Sequence, residues 1–253
     1  MDPKGVAALV VGGASGLGEA VARTLANHGA RIAILDREAA KAAMIAREIG
    51  GFACACDVTN SDSMEAAIAA ARGVHDPARI VVNCAGIAPA GKIFGRKGAL
   101  PLDEFARAIN VNLVGSFNVM RLAVADMVAL APLAGDERGV IINTASIAAF
   151  EGQIGQCAYA ASKGGVASMI LPAARELARS GIRVLAIAPG VFGTPMVTSM
   201  PDEVQQSLIA KTLFPSRLGE PSEYAALALH MIENQMLNGT TIRLDGAVRM
   251  QAN

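Results

Sequence analysis

Seven short apolar runs punctuate the chain, at residues 6–11, 31–35, 52–55, 80–82, 140–143, 183–187 and 241–244. Between them lie longer segments in which apolar residues recur at helical spacing: 17–28, 38–49, 61–72, 102–130, 158–179 and 222–232. The first of these gathers Ala20, Val21, Leu25 and Ala26 on one side and stops at Gly29. Ser61 opens the third, with Glu65 at capping-related spacing. Pro172 falls inside 158–179 and should bend that helix or remove one hydrogen bond. Residues 88–101 read as a loop, 131–138 as a turn-rich connection, and 192–216 as an irregular or short-helical excursion. The strands are mostly apolar rather than amphipathic, so both of their faces must be covered. Strands that alternate with helices pair in parallel through right-handed crossovers. The expected fold is α/β: a single doubly wound domain over residues 1–253, with a seven-stranded parallel sheet flanked by helices.

Composition narrows the function classes. Of 253 residues, 53% are apolar, enough to bury a large core. Basic and acidic residues balance at 22 each, which speaks against a nucleic-acid partner. No apolar run reaches the roughly 18 residues of a membrane span, so no membrane partner is expected. Met1-Asp2-Pro3-Lys4-Gly5 runs straight into a strand, leaving no room for a leader. The expected location is the cytoplasm, or the mitochondrial matrix if a presequence has been removed. Cys54, Cys56, Cys84 and Cys157 fit neither a zinc ribbon nor a redox pair and read as small buried hydrophobes in a reducing compartment. His28, His75 and His230 are scattered, so no metal site is expected.

Candidate chemistry gathers at strand ends. Gly12-Gly13-Ala14-Ser15-Gly16-Leu17-Gly18 joins the first strand to the first helix. Glycines there let the backbone turn tightly and approach a pyrophosphate, and the helix N-terminus offers free N–H groups to the anion. Asp36 ends the second strand, eighteen residues after Gly18. A carboxylate there suits ribose hydroxyls and repels a 2′-phosphate, which favours NAD over NADP; the neighbouring Arg37 pulls the other way. Asp57-Val58 either meets the adenine edge or is a turn aspartate. Asn83-Cys84-Ala85-Gly86 ends the fourth strand, where ligands gather in open α/β sheets. Asn112 is an amide inside an apolar helix, so it caps a backbone kink, anchors a water chain to Lys163, or does both. Tyr159 and Lys163 sit four apart on one helix face, with Ser146 thirteen residues upstream of the tyrosine. An ammonium beside a phenol should lower the phenol pKa and make it a proton donor and acceptor for an alcohol or carbonyl oxygen, which Ser146 can hold.

Together these residues, with Pro189-Gly190, resemble the short-chain dehydrogenase/reductase family over essentially the whole chain. The resemblance implies a Rossmann fold that binds NAD through Gly12, Ser15, Gly16, Leu17, Gly18, Asp36, Asp57, Val58, Asn83, Ala85 and Gly86. It implies that Tyr159 is the general acid/base, that Ser146 orients the substrate oxygen, and that Asn112 supports a proton relay. Lys163 would hold the nicotinamide ribose and lower the tyrosine pKa. Pro189, Gly190 and Val191 would line the nicotinamide pocket, and Thr194 would contact the carboxamide. Val11 departs from the family, which usually carries a threonine before the first glycine.

Residues 140–155 (VIINTASIAAFEGQIG), 214–219 and 242–250 are similar to a narrower branch of that family, as is the insertion around 91–101. Its members are NAD-linked homotetramers that oxidise the 3-hydroxyl of acyl-CoA thioesters. Lys92, Arg96 and Lys97 then either meet CoA phosphates or form a solvated loop tip. Two alternatives stay open: a hydroxysteroid or other secondary-alcohol dehydrogenase, and a dinucleotide-binding scaffold without turnover. The intact Ser146, Tyr159 and Lys163 speak against the scaffold.

Overall fold

Every residue of β1 (Ala7–Val11), β4 (Ile80–Asn83), β7 (Gly139–Thr144) and β8 (Ile182–Pro189) is buried, which is why none of them alternates apolar with polar. With β2 (Arg31–Asp36), β3 (Phe52–Ala55) and β9 (Thr241–Leu244) they form one seven-stranded sheet in the order β3-β2-β1-β4-β7-β8-β9. All six pairings are parallel. This computed structural model describes residues 1–96 and 98–252.

Two cores sandwich the sheet, and the pleat divides the strands between them. Ala8 and Val10 of β1 pack with α1 (Gly16–Asn27), α2 (Ala39–Glu48) and α9 (Pro221–Glu233). Ala7, Leu9 and Val11 pack on the opposite face with α3 (Ser61–His75), α5 (Gly115–Met127) and α6 (Cys157–Leu177). Strand order reverses between β1 and β4, so a crevice opens at their carboxyl ends, the place where such sheets bind ligands.

The seven strands and six main helices fall where the apolar pattern puts them, with ends shifted by at most three residues. The differences are local. The helix expected over 102–130 is α4 (Leu102–Ile109), a π-helical segment Asn110–Val114, and α5. The span Leu102–Met127 is long and apolar enough by length and composition to cross a membrane, a feature that a search for uninterrupted apolar runs misses. Here α4 packs on α6, and α5 packs on α3 and the sheet. Helix α3 does start at Ser61, and Asn60 caps it, its side chain accepting from the Ser63 N–H at 2.9 Å. The loop after β4 holds a small hairpin, β5 (Phe94–Gly95) and β6 (Gly98–Ala99). Residues 192–216 contain two short helices, α7 (Pro195–Thr198) and α8 (Asp202–Ile209). Helix α6 runs on through Pro172.

Candidate active site

The turn from β1 into α1 is built for glycine. Gly12 has φ +74°, and a Cβ there would lie 2.5 Å from the Ala85 nitrogen. A Cβ on Gly18 would lie 2.1 Å from the Gly12 carbonyl oxygen. The loop therefore folds back on its own helix and against the β4 turn with no room for a side chain. Ser15 precedes α1 without a side-chain cap, so the first N–H groups of the helix stay open to an anion. Asp36 braces this loop: its Oδ2 accepts from the Ala14 N–H and its Oδ1 from the Glu38 N–H, both at 2.9 Å. A carboxylate has about four lone-pair sites, so capacity remains for ribose hydroxyls.

One cleft of ≈ 380 Å³ runs along the strand ends, a size typical of cofactor sites. Gly12, Ser15, Gly16, Leu17 and Gly18 form its near wall. Asp36, Asp57, Val58, Ala85 and Gly86 line its middle. Ser146, Tyr159, Lys163, Pro189, Gly190 and Thr194 close the far end. The residues fit a dinucleotide: an open helix N-terminus and a glycine cradle for the phosphates stand beside a carboxylate for the ribose. Asp57 is also a turn aspartate, because its Oδ1 accepts from both the backbone N–H and the hydroxyl of Thr59.

Three expected site residues do not line the cleft. Asn83 is buried beneath it; its amide donates to Ser116 Oγ at 2.9 Å and to Asn143 Oδ1 at 3.4 Å, and its Oδ1 accepts from the Ala85 N–H. It shapes the turn, Cys84-Ala85-Gly86, that faces the cleft. Val191 is replaced in the lining by Phe192, and its carbonyl accepts from the Gly219 N–H. Asn112 is fully buried in the π-helical segment. Its Oδ1 accepts from the Ile87 N–H at 2.8 Å, and its amide donates to the Ile87 carbonyl and to Ser162 Oγ, both at 2.9 Å. Ser162 in turn donates to the Tyr159 carbonyl. Asn112 thus ties the loop after β4 to the helical turn that carries Tyr159.

The electrostatics differ from the sequence expectation. Lys163 is buried, and its ammonium donates to the Thr144 carbonyl at 2.6 Å. Burial pulls its pKa down to about 8. Burial pushes the Tyr159 phenol above its ordinary value, while a hydrogen bond with Ser146 pulls the other way. The expected lowering of the phenol by its lysine is not what this geometry gives, because desolvation of the phenolate outweighs its hydrogen bond. Ser146 also accepts from the Ala148 N–H at 3.1 Å, which fixes its hydroxyl at the head of the loop.

Thr144, Phe192 and Tyr224 were not singled out from sequence. Thr144 Oγ1 donates to the Asn83 carbonyl and pairs with the fully buried Tyr224 hydroxyl, each at 2.7 Å. The available signal was a threonine two residues before Ser146, inside an apolar strand.

Residues 6–205 match the short chain dehydrogenase family. The chain belongs to that family. This short-chain dehydrogenase is 52% identical over 253 residues to the 3-hydroxyacyl-CoA dehydrogenase type-2 of Bos taurus, covering 98% of this chain and 97% of the relative. It is 47% identical over 251 residues to the Drosophila melanogaster protein of the same name, covering 98% of each. The crystal structure of 3-hydroxyacyl-CoA dehydrogenase type-2 from Mycobacterium avium superposes with a TM-score of 0.92 at 41% identity, covering 98% of each chain. The protein is therefore an oxidoreductase whose family uses a nicotinamide dinucleotide.

Proposed function

We propose that this short-chain dehydrogenase uses NAD to interconvert 3-hydroxyacyl-CoA and 3-oxoacyl-CoA. The observation that carries the chemistry is that Ser146, Tyr159 and Lys163 line the same cleft as the glycine loop. The substrate class rests on the names of the full-length relatives. When bound, the dinucleotide supplies or accepts the hydride. Ser146 holds the substrate oxygen by its hydroxyl. Tyr159 gives that oxygen its proton in reduction and takes it in oxidation, help typically worth ~10²–10⁴ in rate. Its raised pKa suits the phenol to the donating direction at neutral pH. Lys163 spends one of its ammonium N–H groups on Thr144 and keeps the others for ribose hydroxyls. Asn112 positions Tyr159 through Ser162.

NAD rather than NADP is supported by Asp36 and Glu38, two carboxylates in the lining beside the single Arg37. Lys92 and Arg96 are exposed on the loop that carries the β5–β6 hairpin, where they suit CoA phosphates; Lys97 lies outside the described residues. A homotetramer is supported by apolar side chains left exposed on the single chain, among them Val114, Phe117 and Leu171. We place the protein in the cytoplasm, or in the mitochondrial matrix where a presequence has been removed; its four free cysteines suit either reducing compartment.

The test is NADH formation with 3-hydroxyacyl-CoAs of varied length, alongside steroid and simple secondary alcohols. Turnover confined to the alcohols removes the acyl-CoA assignment. Tyr159→Phe should lower kcat by at least ~10²-fold while leaving NADH binding intact. An unchanged kcat shows that the proton passes elsewhere.

A further inference from the structure

The loop that joins Ser146 to Tyr159 has little regular structure of its own: one 3₁₀ turn at Ile147–Ala149, then irregular chain to the start of α6. Such a loop is fixed by what holds it from outside. On one side Gly155 is held by residue 91, whose N–H donates to the Gly155 carbonyl at 2.8 Å. On the other side lies the end of the chain.

That end arrives from behind the cofactor cleft. The Gly190 N–H donates to the Leu244 carbonyl at 2.9 Å, and a Cβ on Gly190 would lie 2.9 Å from the Asp245 Cα. The chain then turns through Gly246 and Ala247, both at positive φ, and anchors itself with the fully buried Val248. From Val248 onward it crosses the loop. The Met250 N–H donates to Glu151 Oε2 at 3.0 Å, Gln153 Nε2 donates to the Gln251 carbonyl at 3.1 Å, and the Ile154 N–H donates to the Ala252 carbonyl at 2.9 Å.

Charge locks the crossing. Glu151 receives Arg243 at 2.7 Å and Arg249 at 3.4 Å, while Asp245 receives Arg243 at 2.7 Å and Arg249 at 3.3 Å. The Arg243 guanidinium also lies 5.7 Å from the centre of the Phe150 ring. An isolated surface ion pair contributes little. Here two carboxylates and two guanidiniums share four contacts, and the Glu151 carboxylate is the member that belongs to the loop.

We propose that Glu151 is a positioning residue. It latches the terminal strap 245–252 across the loop between Ser146 and Tyr159, and so holds the substrate side of the cleft against the cofactor side at Gly190. This rests on the reading that Ser146 and Tyr159 handle the substrate oxygen. Its place is distinct from theirs: Glu151 does not line the cleft, and its carboxylate pairs with Arg243, Arg249 and the Met250 N–H.

The test compares full-length Glu151→Gln, full-length Arg249→Ala and a chain ending at Val248, each with 3-hydroxyacyl-CoA and NAD as substrates. Glu151→Gln should raise KM for the hydroxyacyl-CoA by about fivefold and leave KM for NAD within about twofold, as expected for a lost charge-assisted contact. The shortened chain should show the same selective rise or a larger one. Arg249→Ala removes a side chain that is 64% exposed, so it leaves the fold intact, and it should show the same pattern more weakly. A merely structural latch would lower thermal stability and the active fraction, with both KM values unmoved in all three; that result overturns the proposal. Should Glu151→Gln or the shortened chain fail to fold, Arg249→Ala decides by the same criterion. Retained turnover in Tyr159→Phe would instead sink the reading beneath it.

Discussion

Replacing Lys163 with methionine should end turnover and make the ligand-free protein more stable. The side chain is 4% exposed, and burial lowers its pKa from 10.5 to about 8. At about 1.4 kcal/mol per pKa unit, holding that ammonium protonated at neutral pH disfavours the fold by about 3 kcal/mol. Methionine fills similar space without charge but gives up the hydrogen bond to Thr144, a net contribution of about 1 kcal/mol. The remainder, about 2 kcal/mol, corresponds to a rise of roughly 4–8 °C in Tm for a chain of this length. Thermal unfolding of both proteins without NAD measures it. The pH dependence supplies the internal control. The unfolded chain keeps the lysine proton up to its ordinary pKa, whereas the folded protein releases it near 8. Between those values the unfolded state binds more protons, so the wild type gains stability as pH rises and the gap to the variant closes. A variant Tm at or below wild type at pH 7, or a gap indifferent to pH, would refute the idea that this lysine is held at the expense of the fold.

Two further outcomes are expected. Glu137 is buried between Arg183 at 2.7 Å and the Met1 amine at 3.1 Å, so Glu137→Ala should destabilise the fold by about 3–5 kcal/mol in urea titrations; a loss below about 1 kcal/mol would mean that the pair is dispensable. Burial alone would raise the Glu137 pKa, but hydrogen bonds from Gln235 and Arg183 hold it below the ordinary value, so its contribution is present above the unfolded pKa and fades as pH falls through the folded one. Alanine at both Lys92 and Arg96 should raise KM for an acyl-CoA severalfold but not for a CoA-free ketone; an equal change for both removes the phosphate contact.

The sheet was legible in the sequence because its central strands are buried on both faces, which leaves short, mostly apolar runs in a chain of otherwise helical period. The glycine loop was legible for a different reason: the close approach of backbone at Gly12 and Gly18 leaves no space for a Cβ. The π-helical segment at Asn110–Val114 was not, since a five-residue change of winding barely disturbs helical spacing, and only a polar Asn112 among apolar neighbours hinted at it. Nor was the state of the Tyr159–Lys163 pair. Their spacing places both on one face, but whether an ammonium or desolvation dominates the phenol depends on chain segments far away that close over it.

Two of the three residues that the cleft leaves out share one cause. Asn83 ends β4 and Val191 lies just past the end of β8, each beside a position that does line the cleft, Cys84 and Phe192. Sequence locates the end of a strand to within a residue or so, and in extended chain one residue decides which face a side chain takes. At Asn83 that step turns an amide away from the cleft and onto Ser116 and Asn143, where it supports the turn from beneath. The polar residue remains necessary to the site, but as its foundation. Thr144 repeats the pattern: its carbonyl holds Lys163 while its hydroxyl grips Asn83 and Tyr224. The cleft end of this sheet is therefore two layers deep, a lining that faces the cleft and a buried polar layer that fixes the lining, and a linear motif names both without saying which is which.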